Sequence, residues 1–179
     1  VHRLRAALDA EGGALLADAP GLGKTFVALA VARDYGGAMI AAPAALRTQW
    51  KQAAERVGVP IRWCSLEVLS RRPTSSDHPL LIIDEAHHLR NPGTQRYAHA
   101  AALAVGKRVL LLTATPVHNR PAERDALLAL FLGARSAALE AGELCRLIVQ
   151  READPLLLPR RSATQWLSPP SRPGIGPAL

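Results

Sequence analysis

A three-layer α/β domain with a mostly parallel central sheet is what this sequence predicts, on three observations. Short apolar runs alternate with longer amphipathic ones along the chain. Runs such as Leu80-Leu81-Ile82-Ile83 contain no polar alternation, as expected of strands covered by helices on both faces. At 179 residues and 49% apolar content the chain is about one domain long, with enough apolar surface for a real core.

Taken in order, the chain opens at Val1 with a short helix and reaches a first apolar strand at residues 14–17. A glycine-containing loop then leads into a helix at 25–34, a strand at 38–42 and a helix at 44–57. A weaker strand at 61–64 precedes a polar loop, RRPTSSDHP, at 71–79. Next come a strand at 80–83, a helix at 94–105, a strand at 109–113 and helices at 121–132 and 136–151. Pro43 and Pro121 fall at helix starts, where a missing N–H costs nothing. The expected division is a domain over 1–152, a connector over 153–167 and a disordered Pro/Gly-rich tail over 168–179. With its short opening helix and Pro-rich end, the chain reads as a segment or a truncated product.

Composition narrows the function classes. No apolar stretch approaches the length of a membrane span, and no basic region leads into an apolar one as in a secretory signal, so a membrane role is not expected. Cys64 and Cys145 have neither CxxC nor CxxH neighbours, which argues against a disulfide scaffold or zinc knuckle and fits a cytoplasmic protein. The net charge of +7 makes a polyanion a plausible partner. The arginines are scattered, however, and aromatics make up only 4% of the chain, so no stacking platform for bases is evident.

The strongest chemical signal is Ala17-Asp18-Ala19-Pro20-Gly21-Leu22-Gly23-Lys24-Thr25, between an apolar strand and an amphipathic helix. Phosphate-binding loops have this context. Gly21 and Gly23 free the backbone N–H groups to turn toward an anion, and the helix N-terminus adds its positive dipole. Lys24 would reach the terminal phosphates and the Thr25 hydroxyl would help hold Mg²⁺. Asp18 stands where the general pattern has a glycine.

The second signal, Leu80-Leu81-Ile82-Ile83-Asp84-Glu85-Ala86-His87, sets two carboxylates at the end of a buried strand. Ligands of open α/β sheets bind at the carboxyl ends of strands, where the phosphate loop also lies. Asp84 would bind the Mg²⁺ that bridges the β- and γ-phosphates, and Glu85 would orient or deprotonate the attacking water. His87 reads as part of this nucleotide-coupled motif and His88 as packing or surface. The spacing of a zinc-binding HExxH pair is absent.

In order, ADAPGLGKT, DEAHHLRN and LLLTATPVHN resemble the first RecA-like, ATP-binding lobe of a superfamily-two DEAD/DEAH-type helicase. The nearest likeness is to Swi/Snf-type DNA translocases and their bacterial relatives. Met39-Ile40-Ala41-Ala42-Pro43 through Gln49-Trp50 also resembles that family's segment beside the DNA track. The resemblance implies an ATP hydrolase using ATP and Mg²⁺, with Gly21, Leu22, Gly23, Lys24 and Thr25 binding ATP. It implies metal roles for Thr25 and Asp84, catalytic roles for Glu85, Asp84 and Lys24, and coupling roles for His87, Thr113, Ala114 and Thr115. Arg47, Trp50 and Asn119 match nucleic-acid-facing positions, although Trp50 on an amphipathic helix reads more readily as core.

The implied partners are duplex DNA and a second RecA-like lobe, in cis or in trans. That lobe and its arginine finger do not fit in the 63 residues after Pro116, so the chain alone is expected to bind ATP and hydrolyse it poorly. Only Val1–Gly12 precedes the strand-and-loop segment of the phosphate site, without the glutamine that reads adenine in the family, and Ala19-Pro20 replaces the commoner Glu-x. Two other readings stand beside a DNA translocase or helicase: a stand-alone nucleotide-binding module without productive turnover, and the motor subunit of a restriction or repair complex.

Overall fold

The computed structural model describes residues 1–114 and 121–151. Six parallel-paired strands form one sheet: β1 (Gly13–Leu16), β2 (Ala38–Ala42), β3 (Ile61–Ser65), β4 (Leu80–Ile83), β5 (Arg108–Leu112) and β6 (Ile148–Val149). Their order is β3-β2-β4-β5-β1-β6. The helices are α1 (His2–Glu11), α2 (Lys24–Asp34), α3 (Arg47–Val57), α4 (Leu66–Leu69), α5 (Gln95–Ala104), α6 (Pro121–Leu132) and α7 (Ala141–Leu147).

Both faces of the sheet are buried, which is why the central strands read as unbroken apolar runs. Along β4, Leu80 and Ile82 face one core, with Leu4 and Leu8 of α1, Leu29 of α2 and Trp50 of α3. Leu81 and Ile83 face the other core, with Leu66 of α4, Leu103 of α5, Leu127 of α6 and Leu147 of α7. The period-two alternation of a strand thus divides one apolar run between two helical layers. Register sets the strand ends at a common edge, pairing Ala41 with Ile83, Ile83 with Leu111 and Leu16 with Leu112. Pairing continues one residue further, from Asp84 N–H to Ala41 O at 2.9 Å and from Thr113 N–H to Leu16 O at 3.0 Å.

The predicted strands at 38–42 and 80–83 agree with β2 and β4, and the other predicted strands are displaced by one residue or less at either end. Two helices differ from expectation. The helix expected from residue 44 begins as a 3-10 turn, Ala44–Leu46, before α3. The helix expected over 136–151 is three elements: a 3-10 segment Gly133–Ala138, α7, and the strand β6. Leu139 and Glu140 are extended, and a reciprocal capping box between Glu140 and Glu143 starts α7. The helix stops at Leu147 because Ile148 and Val149 pair with Leu15 and Leu16, burying two β-branched side chains at the sheet edge. The expected connector and tail lie outside the described residues. Among the described residues no helix is long and apolar enough to cross a membrane.

Candidate nucleotide site

β1 runs out at Leu16, and the loop that follows turns at Gly21 and Gly23, with φ of 82° and 71°. Such left-handed backbone strains any residue with a Cβ. Gly23 is the N-cap of α2 and supplies no side chain, so no side-chain hydrogen bond caps that helix. Its first-turn N–H groups and its dipole are available to an anion. Lys24 opens the helix, and its ammonium bends back to donate to Asp18 O at 2.9 Å and Ala19 O at 3.1 Å.

Asp18 is wholly buried. Arg151 meets it with its backbone N–H at 2.7 Å on Oδ1 and with Nε at 2.7 Å and Nη2 at 2.6 Å on Oδ2. Nη2 also donates to Leu22 O at 2.6 Å, so one guanidinium bridges both halves of the loop. Sequence reasoning marked Asp18 as a departure from a general pattern and did not find Arg151. No local signal joins residues 133 positions apart.

At the end of β4, Asp84 is 7% exposed. Its Oδ1 accepts the Glu85 N–H at 2.9 Å and its Oδ2 accepts the indole N–H of Trp50 at 2.9 Å. Burial pushes the Asp84 carboxyl above its usual range, against the pull of the indole and Glu85 N–H donors and of the Lys24 charge. Glu85 has φ of 51°, the one left-handed non-glycine among the described residues. Its Oε2 lies 3.2 Å from His87 Nδ1. That separation suits an ion pair, but the geometry is not a hydrogen bond, and the buried Nδ1 has no hydrogen-bond partner among the described residues. His88 is exposed and its ring lies 4.3 Å from that of His87. Partial burial, followed by the neighbouring His87, lowers its pKa.

These pieces meet in one cleft of about 780 Å³, lined by Gly21, Gly23, Lys24, Thr25, Asp84 and Glu85. Ala114 lines it from the end of β5, and Gln49, Gln52 and Arg56 of α3 form its far wall. Thr113 is wholly buried beside β1. Thr115 and Asn119 lie outside the described residues. Arg47 is exposed and lines a separate hollow with Lys51 and Arg62. Trp50 is wholly buried, so its nucleic-acid assignment is corrected: the indole packs with Ala53 and Ala54 on the inner stripe of α3.

The donor set fits Mg²⁺. Thr25 and Asp84 offer hard oxygen ligands on the same cleft, and each Asp84 oxygen keeps acceptor capacity beyond the one N–H it receives. Among the described residues no cluster of three or more His, Cys, Asp or Glu side chains could cage a metal. A cation held here by one carboxylate takes its other ligands from phosphate and water, which is the habit of Mg²⁺.

Comparison with known proteins places the chain among the following likenesses. Residues 68–138 match the SNF2-related domain family. An uncharacterized ATP-dependent helicase of Bacillus subtilis is 38% identical over 135 residues, 61% of this chain and 24% of that protein. The SWI/SNF-related matrix-associated actin-dependent regulator of chromatin subfamily A-like protein 1 of Xenopus tropicalis is 34% identical over 143 residues, 65% of this chain and 15% of that protein. The chain therefore spans a quarter or less of the length of these relatives. The Sulfolobus solfataricus SWI2/SNF2 ATPase core, solved in complex with double-stranded DNA, shares the fold with a TM-score of 0.65 and 17% identity. That likeness covers 83% of this chain and 42% of the other.

Proposed function

We propose, for a chain whose residues 68–138 match the SNF2-related domain family, that it is the ATP-binding RecA-like lobe of an ATP-dependent DNA translocase. The convergence of Lys24 and Thr25 with Asp84 and Glu85 on one cleft carries this reading. In it, the domain occupies residues 1–152, duplex DNA is the track, and a second RecA-like lobe completes the site in cis or in trans.

The N-terminus of α2 and the turned backbone at Gly21, Leu22 and Gly23 cradle the phosphates of ATP. Lys24 exchanges its two loop carbonyls for phosphate oxygens, a trade of hydrogen bonds that gains charge–charge attraction. Thr25 and Asp84 would hold Mg²⁺, which when bound would supply charge neutralisation to the phosphates. Glu85 orients the attacking water or takes its proton, and His87, in contact with Glu85, ties that group to the rest of the turn. Thr113, Ala114 and Thr115 are assigned to coupling turnover to movement, and Arg47 and Asn119 to binding nucleic acid. Catalysis of phosphoryl transfer is mainly positioning and charge stabilisation, so a lobe that holds the phosphates can bind tightly while turning over slowly.

The test is binding of a fluorescent ATP analogue and DNA-dependent ATP hydrolysis by the whole chain. Lys24→Ala should weaken binding at least about tenfold, a loss of about 1.4 kcal/mol. Unchanged affinity would overturn the phosphate-loop reading. Glu85→Gln should leave affinity intact and remove whatever hydrolysis the chain supports, and an undiminished rate would overturn the water-orienting role.

A further inference from the structure

We propose that Trp50 is a positioning residue for Asp84, its indole N–H fixing the orientation of the carboxylate that holds Mg²⁺. The inference rests on the reading of the cleft as a nucleotide site. Its basis is the 2.9 Å bond from Trp50 Nε1 to Asp84 Oδ2, joining side chains 34 residues apart.

An indole has one polar atom, a donor with no acceptor capacity, so a wholly buried tryptophan must place that N–H on something. Trp50 places it on the carboxylate at the cleft. The scaffold determines this. Ala41 of β2 pairs with Ile83 of β4, and Asp84 N–H continues the ladder to Ala41 O. The chain leaving β2 turns at once through Ala44–Leu46 into α3. On the inner stripe of α3 the small side chains of Ala53 and Ala54 let the helix lie close to the sheet, with Trp50 as the large residue of that stripe.

Asp84 is thereby held at both oxygens: Oδ1 by the Glu85 N–H within its own turn and Oδ2 by a second element. A carboxylate with both oxygens engaged has its rotation removed before a metal arrives, so less ordering remains to oppose binding. Groups that orient a metal ligand commonly change metal affinity by about 10- to 100-fold when removed.

The experiment titrates Mg²⁺ into the whole chain with a fluorescent ATP analogue, for the wild type, Trp50→Phe and Lys24→Ala. Trp50→Phe keeps an aromatic ring in the core but loses the donor and some core volume, whose cost to packing is common to the EDTA and Mg²⁺ measurements. Its nucleotide affinity in excess EDTA should stay within about twofold of wild type, while the Mg²⁺ concentration for half-maximal tightening should rise about tenfold. A purely structural role would shift the EDTA and Mg²⁺ affinities together, and that result overturns the inference. So does an unchanged Mg²⁺ titration in Trp50→Phe while Lys24→Ala loses binding, which leaves the nucleotide site standing. Wild-type affinity in Lys24→Ala would overturn both. Should Trp50→Phe fail to fold, the wild type answers by NMR. The Trp50 indole N–H resonance, assigned by elimination with Trp63→Phe and Trp166→Phe, should move when Mg²⁺ joins the nucleotide-loaded chain. A stationary resonance overturns the inference.

Discussion

The phosphate loop after β1 and the acidic turn after β4 line the same cleft, yet different forces hold them in place. Ala19, Pro20, Gly21 and Gly23 are exposed, and the loop keeps its shape through contacts with itself and with Arg151. Asp84 is buried, continues the sheet ladder to Ala41 and is gripped by Trp50. In the proposed reading, binding a phosphate would mean moving the Lys24 ammonium away from Asp18 O and Ala19 O. The turn is preset before any ligand arrives. One wall of the cleft adapts and the other supplies a fixed reference.

The largest test of that contrast is the Arg151 clamp. Arg151→Ala strands the wholly buried Asp18 carboxylate without its guanidinium. Uncompensated buried charge is expensive, although Arg151 is itself 45% exposed and water can partly replace it. We expect a loss of about 2–3 kcal/mol in urea denaturation, about half recovered by adding Asp18→Asn. A loss below about 0.5 kcal/mol would mean that the loop holds itself without the clamp.

How much of this could be read beforehand follows from the range of each interaction. The strands at 38–42 and 80–83 were legible because burial on both faces leaves an unbroken apolar run. The loop and the acidic turn were legible because each is written in a few consecutive residues. The stretch 136–151 reads as one helix because its alanines and leucines satisfy a helical period, whereas β6 exists only through pairing with β1. Glu140 and Glu143 did carry a readable helix-start signal. Neither the Trp50–Asp84 bond nor the Arg151–Asp18 clamp has a local signature, since each spans a fold-determined distance in sequence. The indole's role is the clearest case: periodicity placed Trp50 in the core but could not say which acceptor its N–H would meet.

A smaller effect separates shape from stability in the adaptable wall. Gly23 and Gly58 both sit in left-handed backbone, at φ of 71° and 65°, and a Cβ at either meets nothing within 4 Å. Alanine at either site should cost about 1–2 kcal/mol through backbone strain alone. Gly23→Ala should also lose about tenfold in affinity for the ATP analogue, because the N-terminus of α2 is displaced, while Gly58→Ala keeps it. Equal affinities in the two variants would dissolve the distinction between a phosphate cradle and an ordinary helix end.

The smallest effect belongs to the preset wall, at Glu85. Its φ of 51° costs an L-residue about 1–2 kcal/mol, and the fold around Asp84 absorbs that cost. Glu85→Gly removes the strain but adds about 0.4–1 kcal/mol of chain entropy to the unfolded state. Glu85→Ala removes the same carboxylate and keeps the strain. The glycine variant should therefore be more stable than the alanine variant by about 0.5–1 kcal/mol in urea denaturation, with ATP hydrolysis lost in both. If alanine is more stable than glycine by about 0.4–1 kcal/mol, the entropy difference alone, the turn imposes no strain, and the rigidity of this wall comes from Trp50 and the sheet ladder alone. If glycine is more stable, the protein carries a destabilising backbone at the one residue assigned to the attacking water, in a turn otherwise fixed by burial. That would place the cost of a preset carboxylate in the backbone rather than in its side-chain contacts.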